Sequence, residues 1–469
     1  MRFLSAGILM LAASGHAMAN DASDKLAHDI FRELVEINTT ESNGSVTAAA
    51  EAMAQRLRSG GFSADDTQVL GANERKKNLV VRLRGTGKHP PVLLIGHLDV
   101  VEARREDWTY DPFKFTEKDG YFYGRGTQDM KDGDAIMVAS LIRLRQEGFK
   151  PSRDIILALT ADEESGDANG VDWLLQKHRE LVDAEFVINH DGFSIASAHG
   201  KPVRFEVDST EKVYADYLIT ASSAGGHSSL PVPDNAIYRL AASLERLAHF
   251  HFPFELSAVT RGYYERLATL ETGQRADDIR AILAMPPDGA AEARLSMNPQ
   301  DNSTMHTTCV ATRLDGGHAN NALPQRARAT VNCRILPGHS PEEVRQALIG
   351  VLADPSLKVQ YIDDVGQVRD TASDKTGNRP PPLKPEVFRP LDKVVAQMWP
   401  GLPVVPAMLV GTSDGAYTNA AGLPTYAIAG IAVDTNDIRA HGQDERLPVK
   451  SFYEGNEFFY RYLKTLTAR

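Results

Sequence analysis

The chain lacks what would commit it to a membrane or to nucleic acid. After its first residues no segment approaches the ~20 consecutive apolar residues that a spanning helix needs. Basic residues are outnumbered, 51 against 62 acidic, and the formal charge is −11. No basic stripe is present, so neither nucleic acid nor an anionic membrane surface is expected as a partner. Cysteine is scarce, with Cys309 and Cys333 the two in 469 residues. They are either a disulfide or two small buried thiols, because sequence does not supply the Cα separation that a bridge requires. Internal repeats are absent. At 469 residues and 42% hydrophobic the chain is long enough for two or three domains with full cores, and its composition is that of a globular protein, not of a disordered one by default.

What is present begins with a targeting pattern. Arg2 precedes an apolar run from Phe3 to Ala13, and Ala17-Met18-Ala19 offers a small-residue cleavage site. Residues 1–19 are therefore expected to be a signal peptide. No cysteine follows the cleavage site, which argues against a lipid anchor, and the mature protein is expected to be exported and soluble, in a periplasm or outside the cell.

Leu26, Ile30, Leu34 and Ile37 fall at helical spacing, and a second helix is expected over 46–59, ending at Gly60-Gly61. The runs 78–83, 92–95, 154–160 and 186–188 read as strands. Several of them show no alternation, as suits strands covered on both faces in a mostly parallel sheet. Helical stretches at 133–146 and 171–180 lie between them, which predicts an α/β layer architecture. From Lys212 the texture changes to strands with one wet face, in the order strand, helix, strand, strand, helix, strand: a small split βαβ, ferredoxin-like domain. Residues 251–305 form a largely helical insertion within it. The segment 370–385 reads as an exposed linker, and 450–466 as a closing helix. The expected organisation is a catalytic domain made of 20–211 and 371–469, with a lid domain inserted at 212–370.

Three buried strands end in candidate ligands: His97 and Asp99 after the first, Asp162-Glu163-Glu164 after the second, His190-Asp191 after the third. Open α/β sheets place ligand sites outside the carboxyl ends of their strands. A glycine-framed loop, Gly124 to Gly133, contributes Asp129, and His441 lies in a polar segment near the end of the chain. Neutral imidazoles with carboxylates are the ligand set of zinc and its first-row neighbours. Two divalent ions bring four positive charges against three carboxylates, and the surplus suits a bound hydroxide, the nucleophile that two metals make by lowering a water's pKa from ~15.7 toward ~7. One of Glu163 and Glu164 is free to act as base if only the other binds metal. Asp99 is better placed to orient His97 than to bind beside it.

The ordered motifs GHLDVV, GRGTQDMKDG, ADEESG, NHDG, AGGHSSLP, NNALP, NCRILPG, GTSDG and HGQDERLPV resemble those of the M20 family of two-zinc metallopeptidases and amidohydrolases, over nearly the whole mature chain. The resemblance implies that His97, Asp129 and Asp191 hold one zinc and that Asp129, Glu164 and His441 hold the other, with cobalt or manganese as alternative metals. It implies that Glu163 is the general base and Asp99 the orienting carboxylate. By the same resemblance His227 reaches a neighbouring subunit's site to stabilise the oxyanion in a homodimer formed through the lid. Asn321 and Arg334 hold the substrate, Arg334 taking a carboxylate, and the loop from Gly411 to Gly415 cradles it. Asp162 and His190 are read as outer or solvated residues. The insertion at 251–305 departs from simpler members and leaves the lid-to-lid dimer and the pocket size open. The implied activity is hydrolysis of an amide bond in dipeptides or short peptides, of exopeptidase type. Deacylation of N-acyl amino acids is the alternative within the same chemistry, and a non-catalytic binding protein on the same fold is the alternative of another class.

Overall fold

Strand Val92–His97 is buried along its whole length, and its side chains go alternately to two different cores. Leu94 joins Leu79, Val81, Leu157 and Ile188 on one side of the sheet. Leu93 and Ile95 join Val80, Ile156, Ala158 and Val187 on the other. This explains the unbroken apolar run, since both faces are covered and each such side chain contributes about 2 kcal/mol on burial. The structure is a computed structural model that describes residues 5–165, 168–198, 200–363, 365–373, 380–434 and 436–468. The first four residues of the expected targeting segment, and 374–379 of the expected linker, lie outside the described residues. A helix runs from Ser5 to Glu36. Among the described residues no helix is long and apolar enough to cross a membrane.

The chain forms two compact units, Met1–Asp208 with Pro382–Val405 and Ala421–Arg469, and Ser209–Pro381 with Pro406–Ala420. In the first, a mixed sheet is parallel through Ile155–Thr160, Val92–His97, Phe186–Asn189 and Thr425–Ala427. Lys77–Leu83 and Thr67–Gly71 extend it antiparallel on one side. Lys201–Glu211 and Ile195–Ala198 do so on the other. Helices Val46–Ser59, Lys131–Gln146, Pro385–Met398 and Val449–Thr467 contribute to the larger core. The helix expected over 171–180 is interrupted: Gly170–Lys177 is capped by the Asn169 side chain and stops at His178, before a short turn Arg179–Val182.

The second unit is a five-stranded antiparallel sheet in the order Thr308–Gly316, Arg326–Ile335, Val213–Ser222, Lys358–Ile362, Val368–Arg369. Helices Ala236–Ala248 and Pro341–Leu352 cover one face, packing Leu240, Leu247, Val344 and Leu348 on Tyr217, Ile219, Val331 and Ile335. The first four strands and two helices follow the split βαβ order. The insertion is built of helices Ala258–Leu270, Gly273–Leu283, Gly289–Leu295 and Pro299–Met305.

Two features differ from or complete the sequence reading. Residues 406–420, placed from sequence with the catalytic part, pack with the second unit. Strand Val404–Leu409 hands the loop to Lys212, whose N–H donates to the Leu409 carbonyl at 3.1 Å, and Ser413 donates to the buried Glu211 carboxylate from both its N–H, at 2.7 Å, and its hydroxyl, at 3.0 Å. Cys309 and Cys333 stand directly opposite each other in paired strands, with Cα atoms 4.1 Å apart, and form a disulfide.

Candidate active site

Strand Val92–His97 ends by bringing His97 against the start of helix Lys131–Gln146, and the approach is too close for any side chain on the residue before it. A Cβ on Gly96 would stand 2.7 Å from Asp134 Oδ1 and equally near the methyl carbons of Met130 and Met137. Gly133 does the same for the neighbouring strand end, where a Cβ would lie 2.5 Å from His190 Nδ1. The glycines let two imidazoles pack directly on a helix.

His97 Nε2 lies 3.0 Å from Asp129 Oδ1, and His441 Nε2 lies 3.0 Å from Asp129 Oδ2 and 3.0 Å from Glu164 Oε1. One carboxylate thus stands between two imidazoles, each oxygen facing a different ring. The ligand atoms of His97, Asp129 and Glu164 all lie within 4.8 Å of one another, a group that could hold a metal ion. His441 joins through Asp129 and Glu164, and adopts a left-handed backbone with φ 63°. Asp191 stands outside that group; it is half-buried, and its N–H donates to Asn189 Oδ1 at 3.1 Å.

The electrostatics ask for cations. Burial lowers the His97 imidazole, but the Asp129 bond and the Glu163, Asp129 and Asp99 charges outweigh it and leave it well above its ordinary range. Bonds to Asp129 and Glu164 raise His441 to about 10. Burial opposes ionisation of Asp129, yet His441 and His97 hold its carboxyl below the usual range. Borderline nitrogen and hard oxygen donors converging in such a field are the ligand set that zinc, cobalt and manganese accept. The residues present therefore fit a metal centre.

Behind these donors lies a layer of groups that hold the backbone. Asp99 was expected to aim His97 with its carboxylate, but His97 Nδ1 lies 3.0 Å from the Asp99 backbone carbonyl and 3.8 Å from its carboxylate. That carboxylate instead accepts the N–H groups of Glu163, at 3.2 Å, and Glu164, at 3.0 Å, so it shapes the loop carrying both glutamates. Asp162, read as outer or solvated, is buried with φ 68°, bonds Lys76 Nζ at 2.7 Å and accepts the Ala168 N–H. His190 is buried too, its ring edge-on to Phe459 at 4.8 Å, and burial pulls its pKa down to about 4.

Sequence reasoning missed Glu445. This fully buried carboxylate accepts from Arg125 at 2.6 Å and from the N–H groups of Gly126, Gln128 and Asp129 at 3.1, 2.6 and 3.2 Å. It fastens the segment bearing His441 to the loop bearing Asp129. Opposite charges in two ligand-bearing segments, Arg125 in one and Glu445 in the other, were the available signal.

The remaining expected residues lie in the second unit. His227 is exposed, pairs across a short ladder with Ala322, and holds Ser229 Oγ at 2.7 Å from its Nδ1. The Ser228 N–H donates to the Asn321 carbonyl at 3.1 Å, so His227 and Asn321 are neighbours. Arg334 stacks on the Tyr214 ring at 4.7 Å, and its guanidinium lies 3.4 Å from Thr412 Oγ1, beside Gly411.

A model of peptidase family M20/M25/M40 matches residues 93–465. The chain belongs to this family. It is a hydrolase acting on peptide or amide bonds, and one solved relative, from Bacillus subtilis, is a dinuclear metal binding peptidase of the M20 family, with a TM-score of 0.58 at 11% identity, covering 96% of this chain and 99% of that one. A carboxypeptidase S-like protein of Dictyostelium discoideum is 27% identical over 384 residues, covering 80% of this chain and 71% of that one. An N-fatty-acyl-amino acid synthase/hydrolase of Homo sapiens is likewise 27% identical over 384 residues, covering 80% and 74%. Among solved structures, an M20 family metallo-carboxypeptidase from Sulfolobus solfataricus superposes with a TM-score of 0.70 at 14% identity, covering 94% of this chain and 99% of that one.

Proposed function

We propose that the protein is a metal-dependent exopeptidase that cleaves the amide bond of dipeptides or short peptides with a free carboxylate, using Glu163 as general base. The observation that carries this reading is the Asp129 carboxylate held between the His97 and His441 imidazoles, with Glu164 on the cluster and Glu163 adjacent to it in the chain. His97, Asp129 and Asp191 would hold one divalent ion, zinc in the first instance, and Asp129, Glu164 and His441 the other. When bound, two such ions supply Lewis-acid polarisation of a carbonyl and lower the pKa of a water.

The chain's own residues do the rest. Glu163 accepts a proton from the attacking water and returns it to the leaving amine, so the same oxygen serves as base and then acid. Asp99 fixes the backbone that carries Glu163 and Glu164 by accepting both their N–H groups. Arg334, with Thr412 and the Gly411 backbone, takes the substrate carboxylate, Asn321 helps to hold the substrate, and His227, reaching a neighbouring subunit's site, offers a donor to the developing oxyanion.

The observation favouring deacylation of N-acyl amino acids is the 27% identity to N-fatty-acyl-amino acid hydrolases. We further propose export to a periplasm or the exterior, on the targeting pattern of residues 1–19. Homodimerisation through the lid is supported by the edge strand Thr308–Gly316, whose Val310 and Leu314 are 61% and 74% exposed.

The deciding test is Glu163→Ala. It should retain metal while turnover falls by about 10²–10⁴-fold, and substantial residual hydrolysis would remove Glu163 from its role. A screen of dipeptides against N-acyl amino acids with added zinc, scored by released amine, separates peptidase from deacylase. No hydrolysis and no bound metal would favour a binding protein.

A further inference from the structure

The second unit holds two buried or half-buried cations, Lys212 and Arg334, that make no ion pair among the described residues; Asp216 acts on Arg334 only from beyond contact. Lys212, in the one-residue break before strand Val213–Ser222, is fully buried. Its Nζ donates to Ser303 Oγ at 3.1 Å and to the His306 carbonyl at 2.7 Å, both neutral acceptors. Two residues on, Tyr214 pairs with Arg334, whose guanidinium is met by the Tyr214 ring and the Thr412 hydroxyl. Among the described residues no carboxylate lies within 4.0 Å of either cation. Hydrogen bonds to neutral groups satisfy the ammonium's geometry and leave its charge uncompensated, which is costly out of water. The two charges also feel each other, since burial and then Arg334 pull Lys212 down to about 7. Neither cation has a carboxylate in direct contact.

Lys212 is also where several segments meet. Its carbonyl accepts the Thr412 hydroxyl at 3.0 Å, which pins the 411–413 loop beside Arg334. Its ammonium grips the closing end of the 251–305 insertion. That stem is otherwise tied to itself, through His306 Nδ1 to the Phe252 carbonyl at 2.9 Å and the Glu255 N–H to the Met305 carbonyl at 3.0 Å. Three residues after His306, the Cys309–Cys333 bridge holds the following strand next to Arg334.

We propose that Lys212 is the second cation of a carboxylate-recognising site centred on Arg334 and Thr412, and that its ammonium fastens the helical insertion to that site, making Lys212 a determinant of specificity for substrates with a free carboxylate. This deepens the proposed function and rests on it. Arg334 supplies the planar fork that a carboxylate fits, and a carboxylate bound there would favour the charged form of the buried Lys212.

The test uses the full-length, metal-loaded protein and a substrate pair, a dipeptide or N-acyl amino acid and its C-terminal carboxamide. Wild type should prefer the carboxylate. Lys212→Met should reduce that preference about tenfold, through KM. Lys212→Arg should keep it within about threefold. Lys212→Gln retains amide donors for Ser303 and His306 without the charge; it should behave as the Met variant and covers the case in which that one does not fold. The wild-type KM for the carboxylate should also rise with salt more steeply than that of the Gln variant. An unchanged preference in folded Met or Gln variants, or an equal loss on both substrates, overturns the proposal. If wild type cleaves neither substrate, the proposed function has failed, and Lys212 is then tested by calorimetric binding of the free amino acid, which Lys212→Gln should weaken about tenfold.

Discussion

The two units handle charge in opposite ways. In the first, charged groups collect where buried strands end, and they are sorted by what they face. Asp129 and Glu164 face imidazoles, while Asp99, Asp162 and Glu445 have turned away to backbone N–H groups, Lys76 and Arg125. In the second, Arg334, Tyr214, Asp216 and Asn332 lie along paired strands on the face that the helices leave uncovered. A metal centre needs donor atoms fixed to within a fraction of an ångström, and that requires carboxylates behind carboxylates. A substrate-binding face needs only correct register, which strand pairing supplies.

The sharpest way to break this contrast is Asp129→Ala. Removing the carboxylate shared by both imidazoles should lower hydrolysis at least about 10⁴-fold and abolish bound metal, read by elemental analysis. Retention of full metal content would mean that the strand ends do not hold it. Asp99→Asn comes next. The supporting layer should cost about 10–100-fold in turnover or metal affinity, measured by titration of the metal-free protein. An effect as large as that of Asp129→Ala would make Asp99 a ligand and erase the division into two layers.

In the second unit the expected effects are on stability. Replacing Cys309 and Cys333 by serine opens a loop of 24 residues and should destabilise by about 3 kcal/mol in urea unfolding, with metal content intact. The smallest effect is on acid sensitivity. The Arg345 guanidinium beside Glu342, helped by Gln346 and the Ala372 N–H, holds that carboxyl down to about 2. Its folded pKa lies below the unfolded value, so its stabilisation is present above about pH 4.5 and is lost as pH falls toward 2. Glu342→Gln should flatten that part of the melting-temperature profile by a fraction of 1 kcal/mol, as for other pairs near the surface.

Much of the first unit was legible because its strands are covered on both faces, so apolar runs such as 92–95 and 154–160 mark the sheet and the polar residues after them mark the site. His97, Asp129, Glu164 and His441 come together, while Asp191 stands outside the group of His97, Asp129 and Glu164. Groups that act on the backbone were not legible. Nothing in the spelling of Glu445 says that it will gather three N–H groups from residues over 300 positions away. Nor does the spacing of His97 and Asp99 say which oxygen of Asp99 the imidazole will meet. Register decided the cysteines, since only strand pairing could set Cys309 opposite Cys333. The allegiance of 406–420 turned on Glu211 and Lys212, whose bonds to Ser413 and Leu409 outweigh its nearness in sequence to the strands of the first unit.

The clasp between Glu445 and the 124–129 loop also makes the cluster a product of long-range docking. Asp129 and His441 lie far apart in the sequence, and the loop presenting the former is gathered by a carboxylate that follows the latter. Until the two segments have docked, the loop has no clasp and the cluster no second imidazole. The contact that fixes the loop is therefore also the one that delivers His441.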